Sequence, residues 1–146
     1  MTSPPLIFVL NGPNLNRLGR REPDIYGRET LDEVAGRMSE KAGALGLALE
    51  IRQSNHEGHL IDWLHEAEDA KAKAVIINPG GYGHTSVALR DAVSAIETPV
   101  ILVHLSDPMT REAFRRTDLI AEVACLQIKG KGVTGYLEAL DEAAKL

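Results

Sequence analysis

Three segments of this chain concentrate the residue types that move protons and hold anions. The first is Asn11-Gly12-Pro13-Asn14, followed by Arg20, Arg21 and Tyr26. The second is Asn78-Pro79-Gly80-Gly81-Tyr82-Gly83-His84-Thr85-Ser86. The third is His104-Leu105-Ser106, followed by Arg111, Arg115 and Arg116. Together they offer a phenol, two imidazoles, several guanidiniums and side-chain amides. That set suits an anionic, hydroxylated small molecule: guanidiniums and backbone amides hold a carboxylate, while amides and hydroxyls read alcohols. Tyr26 with Arg21 is the most informative pair. A free phenol titrates near ~10, too high for a base at neutral pH, and a neighbouring cation favours the phenolate. Singly, each residue also has a structural use. Asn11 and Asn14 suit turns, the glycines suit tight connections, His104 could be a satisfied core histidine, and arginines are commonly solvated. Their recurrence after three separate apolar runs favours a site.

Those runs are the elements that must position the chemistry. Leu6 to Leu10, Leu47 to Ile51, Ala74 to Ile77, Val100 to Leu105 and Val123 to Ile128 read as strands, short and rich in β-branched residues. Helical patterns lie between them. Thr30-Leu31-Asp32-Glu33 is a capping box opening a helix that Gly46 stops. Leu60, Ile61, Leu64 and Ala67 share one helical face, and Val87, Leu89, Ala92, Val93 and Ile96 share another, ended by Pro99. Arg111 to Arg116 reads as a short helix and Val133 to Ala144 as the last full one. Five strands alternating with helices predict an α/β domain spanning residues 1–146, with a flavodoxin-like, doubly wound parallel sheet covered by helices on both faces. In such a sheet the site lies beyond the carboxyl ends of the strands, where all three chemical segments fall.

Composition excludes several classes. With 16 Lys plus Arg against 21 Asp plus Glu, the chain carries a net charge of −5, which disfavours nucleic acid and anionic membrane as partners. Apolar runs are far shorter than a membrane span, and no secretory pattern opens the chain, so a cytoplasmic setting is expected. The single cysteine excludes an intramolecular disulfide and a multi-cysteine zinc site; within its apolar run, Cys125 is expected to be a buried small hydrophobe. His56-Glu57-Gly58-His59 has its histidines three apart rather than four, and therefore lacks the spacing of a zinc-protease helix.

Longer motifs carry a resemblance. Leu10-Asn11-Gly12-Pro13-Asn14-Leu15 with Gly19-x-Arg21-Glu22-Pro23-x-Ile25-Tyr26-Gly27 resembles the opening of type II 3-dehydroquinate dehydratase. Gln53-Ser54-Asn55-His56-Glu57-Gly58, Asn78-Pro79-Gly80-x-Tyr82-x-His84-Thr85-Ser86, Ala88-Leu89-Arg90-Asp91, His104-Leu105-Ser106, Arg111-Glu112-x-Phe114-Arg115 and Gly135-Tyr136 follow in the same order. The resemblance implies a hydro-lyase that dehydrates 3-dehydroquinate to 3-dehydroshikimate by anti elimination through an enolate, in aromatic biosynthesis or in quinate breakdown. It implies no metal or organic cofactor, and a homo-oligomer of twelve subunits built from trimers. Tyr26 would be the base, Arg21 would hold it as phenolate, Asn14 would position a water on the enolate oxygen, and His104 would protonate the departing hydroxyl. Asn78, His84 and Arg115 would bind ring hydroxyls, while Leu105 (through its backbone) and Ser106 would hold the carboxylate. Asp91 would reach a neighbouring subunit's site, and the Arg21 to Tyr26 loop would close as a lid.

The chain also departs from that pattern. Leu102 stands where the family usually has Glu, on the same strand face as His104. His104 is therefore expected to lack a carboxylate partner and to be a weaker acid at neutral pH, and Leu102→Glu is expected to raise turnover unless another group orients the imidazole. Asp107-Pro108-Met109-Thr110 replaces a stretch resembling Asn-Val-His-Ala, with Asp107 adding charge near the carboxylate site. Gly83 replaces a common Thr, and Lys129 and Lys131 replace apolar residues. The alternative these departures leave open is a relative that binds or acts on a different cyclic hydroxy-acid with little dehydroquinase turnover.

Overall fold

The structure, a computed structural model, describes residues 3–20 and 22–146. Its centre is a sheet of β1 (Leu6–Asn11), β2 (Ala48–Gln53), β3 (Ala74–Asn78), β4 (Val100–His104) and β5 (Leu126–Lys129). All neighbours pair in parallel, in the order β2-β1-β3-β4-β5. That is the flavodoxin-like order, with its switch point between β1 and β3. β3 and β4 are buried along their whole length, which is why their sequences are apolar up to the terminal Asn78 and His104 rather than alternating.

Helices α2 (Leu31–Ala44) and α6 (Thr134–Ala144) cover one face. There Val34, Met38, Ala139 and Leu140 pack on Ile7, Val9, Ile76, Ile101 and Val103. Helices α3 (Glu57–Asp69) and α5 (Val87–Ala95) cover the other, with Leu60, Leu64, Leu89 and Val93 on Phe8, Leu10, Val75, Ile77 and Leu102. The strand period of two divides each strand between the two layers. The capping box forms as read: Thr30 Oγ1 accepts from the Glu33 amide at 3.2 Å, and Glu33 accepts from the Thr30 amide at 3.3 Å.

Local differences from the sequence reading have physical causes. Gly46 takes φ +72 to end the α2 segment, so β2 starts at Ala48. The fifth strand starts at Leu126 rather than Val123, because the amides of Val123 and Ala124 both turn back to the Ile120 carbonyl. Cys125 is exposed, not buried: it immediately precedes β5, which is an edge strand. Arg111 to Arg116 is not one helix. Two 3-10 turns, Pro108–Thr110 and Ala113–Arg116, flank residues 111 and 112, the first capped by Asp107 Oδ1 accepting from the Met109 amide at 3.0 Å. Two single-turn helices, α1 (Pro23–Tyr26) and α4 (Tyr82–Thr85), occupy stretches read as loops. Among the described residues, no helix is long and apolar enough to cross a membrane.

Candidate active site

The carboxyl ends of β1, β3 and β4 open into a cavity of about 340 Å³. Its lining includes Asn14, Tyr26, Asn78, His84, His104, Leu105, Ser106, Arg111 and Arg115. The topology thus gathers the three chemical segments at one mouth. Two contacts join the loops around it. The Gly12 amide donates to the Asn78 carbonyl at 2.8 Å, and a Cβ on Gly12 would come within 2.5 Å of the Pro79 carbonyl oxygen, so only glycine lets these loops meet. Asn14 has φ +71, and its amide donates to Asn55 Oδ1 at 3.0 Å, fixing the first loop against the turn after β2.

Tyr26 ends α1, half-buried, with its hydroxyl accepting from Arg111 Nη1 at 2.6 Å. The same guanidinium lies 5.2 Å over the Tyr26 ring and donates to Ser106 Oγ at 3.3 Å. Sequence reasoning placed Arg111 among the available guanidiniums but gave the phenol to Arg21, which lies outside the described residues. Arg111 is far from Tyr26 in sequence, so only the fold could make the pairing visible.

His104 is buried at the end of β4, and its Nε2 lies 2.8 Å from Asp118 Oδ2. This corrects the expectation that Leu102 leaves the imidazole without a carboxylate: one arrives from the loop ahead of β5. Burial opposes the charge on Asp118, but the hydrogen bond and charge of His104, the Ala121 amide and the charge of His84 outweigh it and hold the carboxyl below its ordinary range. Leu102 itself is fully buried among apolar neighbours. His84 stacks on His104 with ring centroids 5.9 Å apart and planes 11° from parallel. Its Nδ1 is 2.7 Å from the Thr117 carbonyl, an acceptor, so that nitrogen carries the proton and Nε2 is left for a ligand.

Asp107 does not line this cavity. Its carboxylate pairs with Lys129 Nζ at 3.5 Å, so two departures from the resemblance neutralise each other at the surface. Lys131 pairs with Glu138. Arg115 lines the cavity with its Nε held by Glu112 at 2.5 Å. Asp91 is exposed on α5 and is not among the residues lining its own chain's cavity. In the decoy segment, Glu57 hydrogen-bonds Ser86 and His59 pairs with Ser54 Oγ.

Comparisons with known proteins show the family. The model of the family Dehydroquinase class II matches residues 5–144. This chain belongs to the class II dehydroquinases. It is 56% identical over 130 residues to a 3-dehydroquinate dehydratase of Halalkalibacterium halodurans, covering 89% of each protein. It is 50% identical to one of Rhodopseudomonas palustris, covering 98% of this chain and 95% of that protein. The crystal structure of the type II dehydroquinase from Butyrivibrio crossotus superposes with a TM-score of 0.95 at 40% identity, covering 97% of this chain and 99% of that one.

Within this dehydroquinase fold, Tyr136 is a residue that sequence reasoning quoted but gave no role. It is fully buried on α6; its hydroxyl donates to Asn11 Oδ1 at 2.6 Å and accepts from Asn78 Nδ2 at 3.1 Å. Burial pushes its phenol far above the usual range, against the hydrogen bond from Asn78, so it remains a donor. With the Gly80 amide on Asn78 Oδ1, this fixes the Asn78 amide at the cavity. Tyr136→Phe is expected to destabilise the fold by about 1–3 kcal/mol in urea unfolding, because two buried amides lose a partner. Ligand affinity should weaken in parallel as Asn78 loses its orientation.

Proposed function

We propose that this chain dehydrates 3-dehydroquinate to 3-dehydroshikimate. What carries the reading is a phenol paired with a guanidinium and an imidazole paired with a carboxylate, both facing one cavity in a class II dehydroquinase fold. Elimination next to a ketone needs a base at carbon, an acid at the leaving oxygen and a stabilised enolate. Tyr26 removes the proton from the carbon beside the ketone, and that electron pair moves onto the ketone oxygen as the enolate. The enolate then re-forms the ketone, the ring double bond forms, and the β-hydroxyl leaves as water with a proton from His104. A guanidinium donating to the phenol oxygen favours negative charge there; Arg111 supplies that contact, and Arg21 is assigned the same duty by the family resemblance. Asn14 positions a water at the enolate oxygen. Asn78, His84 and Arg115 take ring hydroxyls, and the Leu105 amide with Ser106 takes the carboxylate. The segment from Arg21 to Tyr26 closes over the bound ring and excludes water.

The direct test is ultraviolet absorbance after adding the protein to 3-dehydroquinate across a range of pH. The product has a conjugated enone-carboxylate chromophore that the substrate lacks. Protein-dependent growth of that signal is expected; its absence, with folded protein that still binds a ring analogue, would reject the reaction.

The same reading includes a twelve-subunit assembly of trimers, in which Asp91, exposed on its own protomer, completes a neighbour's site. Light scattering is expected to give a mass near twelve chains. A monomer at assay concentration would remove both the assembly and the role of Asp91.

A further inference from the structure

We propose that Asp118 is the positioning residue for His104, a carboxylate delivered by the loop before β5 where strand β4 itself supplies only apolar neighbours. The inference rests on the reading above, in which His104 is the acid. Four observations carry it. Asp118 Oδ2 is 2.8 Å from His104 Nε2, and both side chains are largely buried, 12% and 7% exposed. The carboxylate is itself held in place: Oδ1 accepts from the amides of Ile120 at 3.2 Å and Ala121 at 3.1 Å, and Oδ2 also accepts from Gln127 Nε2 at 3.3 Å. On the strand, Leu102 can offer the imidazole no hydrogen bond. Finally, Gly83 lies against the pair. A Cβ there would lie 3.1 Å from Pro79 Cγ, 3.5 Å from His104 Cε1 and 3.8 Å from Asp118 Oδ1, and the Gly83 carbonyl accepts from the Leu119 amide at 2.8 Å. A side chain at 83 would press on Pro79 and sit in van der Waals contact with both the ring and the carboxylate. Leu102, Gly83 and Asp118 thus form one arrangement around one imidazole.

The chemistry follows from the acceptor. An ionised carboxylate accepts only, so the His104 Nε2 carries a proton and Nδ1 is the nitrogen that exchanges one with the departing hydroxyl. The other ionisable groups around the ring are His84, stacked on it; Lys129, its register neighbour on β5, whose ammonium turns to Asp107; and Tyr26, Arg111 and Arg115, which share the cavity. Among the described residues, Asp118 is the carboxylate bonded to His104.

Two measurements test this. In the unaltered protein, imidazole 15N spectra, with the His104 signals assigned by their loss in His104→Gln, are expected to show the neutral ring protonated on Nε2. The Nδ1–H tautomer would overturn the pairing, and this readout needs neither a variant nor turnover. In Asp118→Asn, which keeps an oxygen for the two backbone amides, kcat should fall at least about tenfold with KM changed less than about threefold. The pH profile of kcat should change as well, because the group bonded to the imidazole is no longer ionisable. A folded variant with unchanged kcat and pH profile would overturn the proposal, because a purely structural role leaves that profile in place. If the unaltered protein makes no enone product, the reaction assignment fails, while the tautomer still decides whether Asp118 holds the ring.

Discussion

Tyr26→Phe is expected to lower turnover of 3-dehydroquinate at least about a hundredfold, since a positioned general base contributes on the order of 10²–10⁴ and, among the described residues, no second phenol faces the cavity in an equivalent place. Tyr82 also lines the cavity, but its hydroxyl donates to the Asn55 carbonyl and serves the loop. The substitution removes only the oxygen. The ring keeps its stacking against Arg111, and Arg111 keeps Ser106, so the carboxylate subsite should survive. Binding of the product, followed by calorimetry, should therefore stay within about threefold of the unaltered protein. Loss of turnover with binding retained is the signature of a group acting in the transition state. Near-normal turnover would reject Tyr26 as the base, and joint loss of binding and turnover would make it a structural residue of the lid.

The sheet was legible because its central strands obey a local rule. Segments such as 74–77 and 100–103 are buried on both faces and therefore apolar without interruption, up to the polar Asn78 and His104 that end them. The site was legible for a related reason: in a doubly wound sheet, chemistry collects where such strands end, so residues directly after them meet without any long-range information. What stayed hidden were partnerships made across loops. Strand alternation from His104 points to position 102, which is leucine. The partner sits fourteen residues beyond His104, in a stretch with no periodicity to read. A signal was present in Asp118 itself, an acidic residue directly before the apolar run Leu119-Ile120, but local pattern reads such a residue as a turn or cap, and it does cap Ile120 and Ala121. Arg111 was likewise visible as a cation and invisible as the partner of Tyr26, eighty-five residues away. Asp107 and Lys129 each read as an intrusion, and pairing across the β4–β5 end makes them a surface ion pair of small energetic weight.

The same geometry reverses the expected result at position 102. Leu102→Glu was the natural repair for a histidine without a carboxylate, but His104 already has one. The new side chain would enter a fully buried position in the apolar cluster that holds Leu89, Val93 and Ile120 and would share a single imidazole with Asp118. An isolated buried carboxylate with a like charge nearby costs several kcal/mol, so the variant is expected to lose about 3 kcal/mol or more at neutral pH and to gain no turnover. The pH dependence has a definite sign. Burial and the neighbouring carboxylate both raise the folded-state pKa of the introduced carboxyl above its unfolded value of about 4.3. The destabilisation is therefore full above the raised folded-state pKa and shrinks as pH falls toward the unfolded value. Urea midpoints of the variant and the unaltered protein should accordingly converge on acidification and diverge toward neutrality. A variant as stable as its parent at neutral pH, with turnover raised, would mean that Asp118 does not serve the histidine and that the carboxylate belongs on the strand.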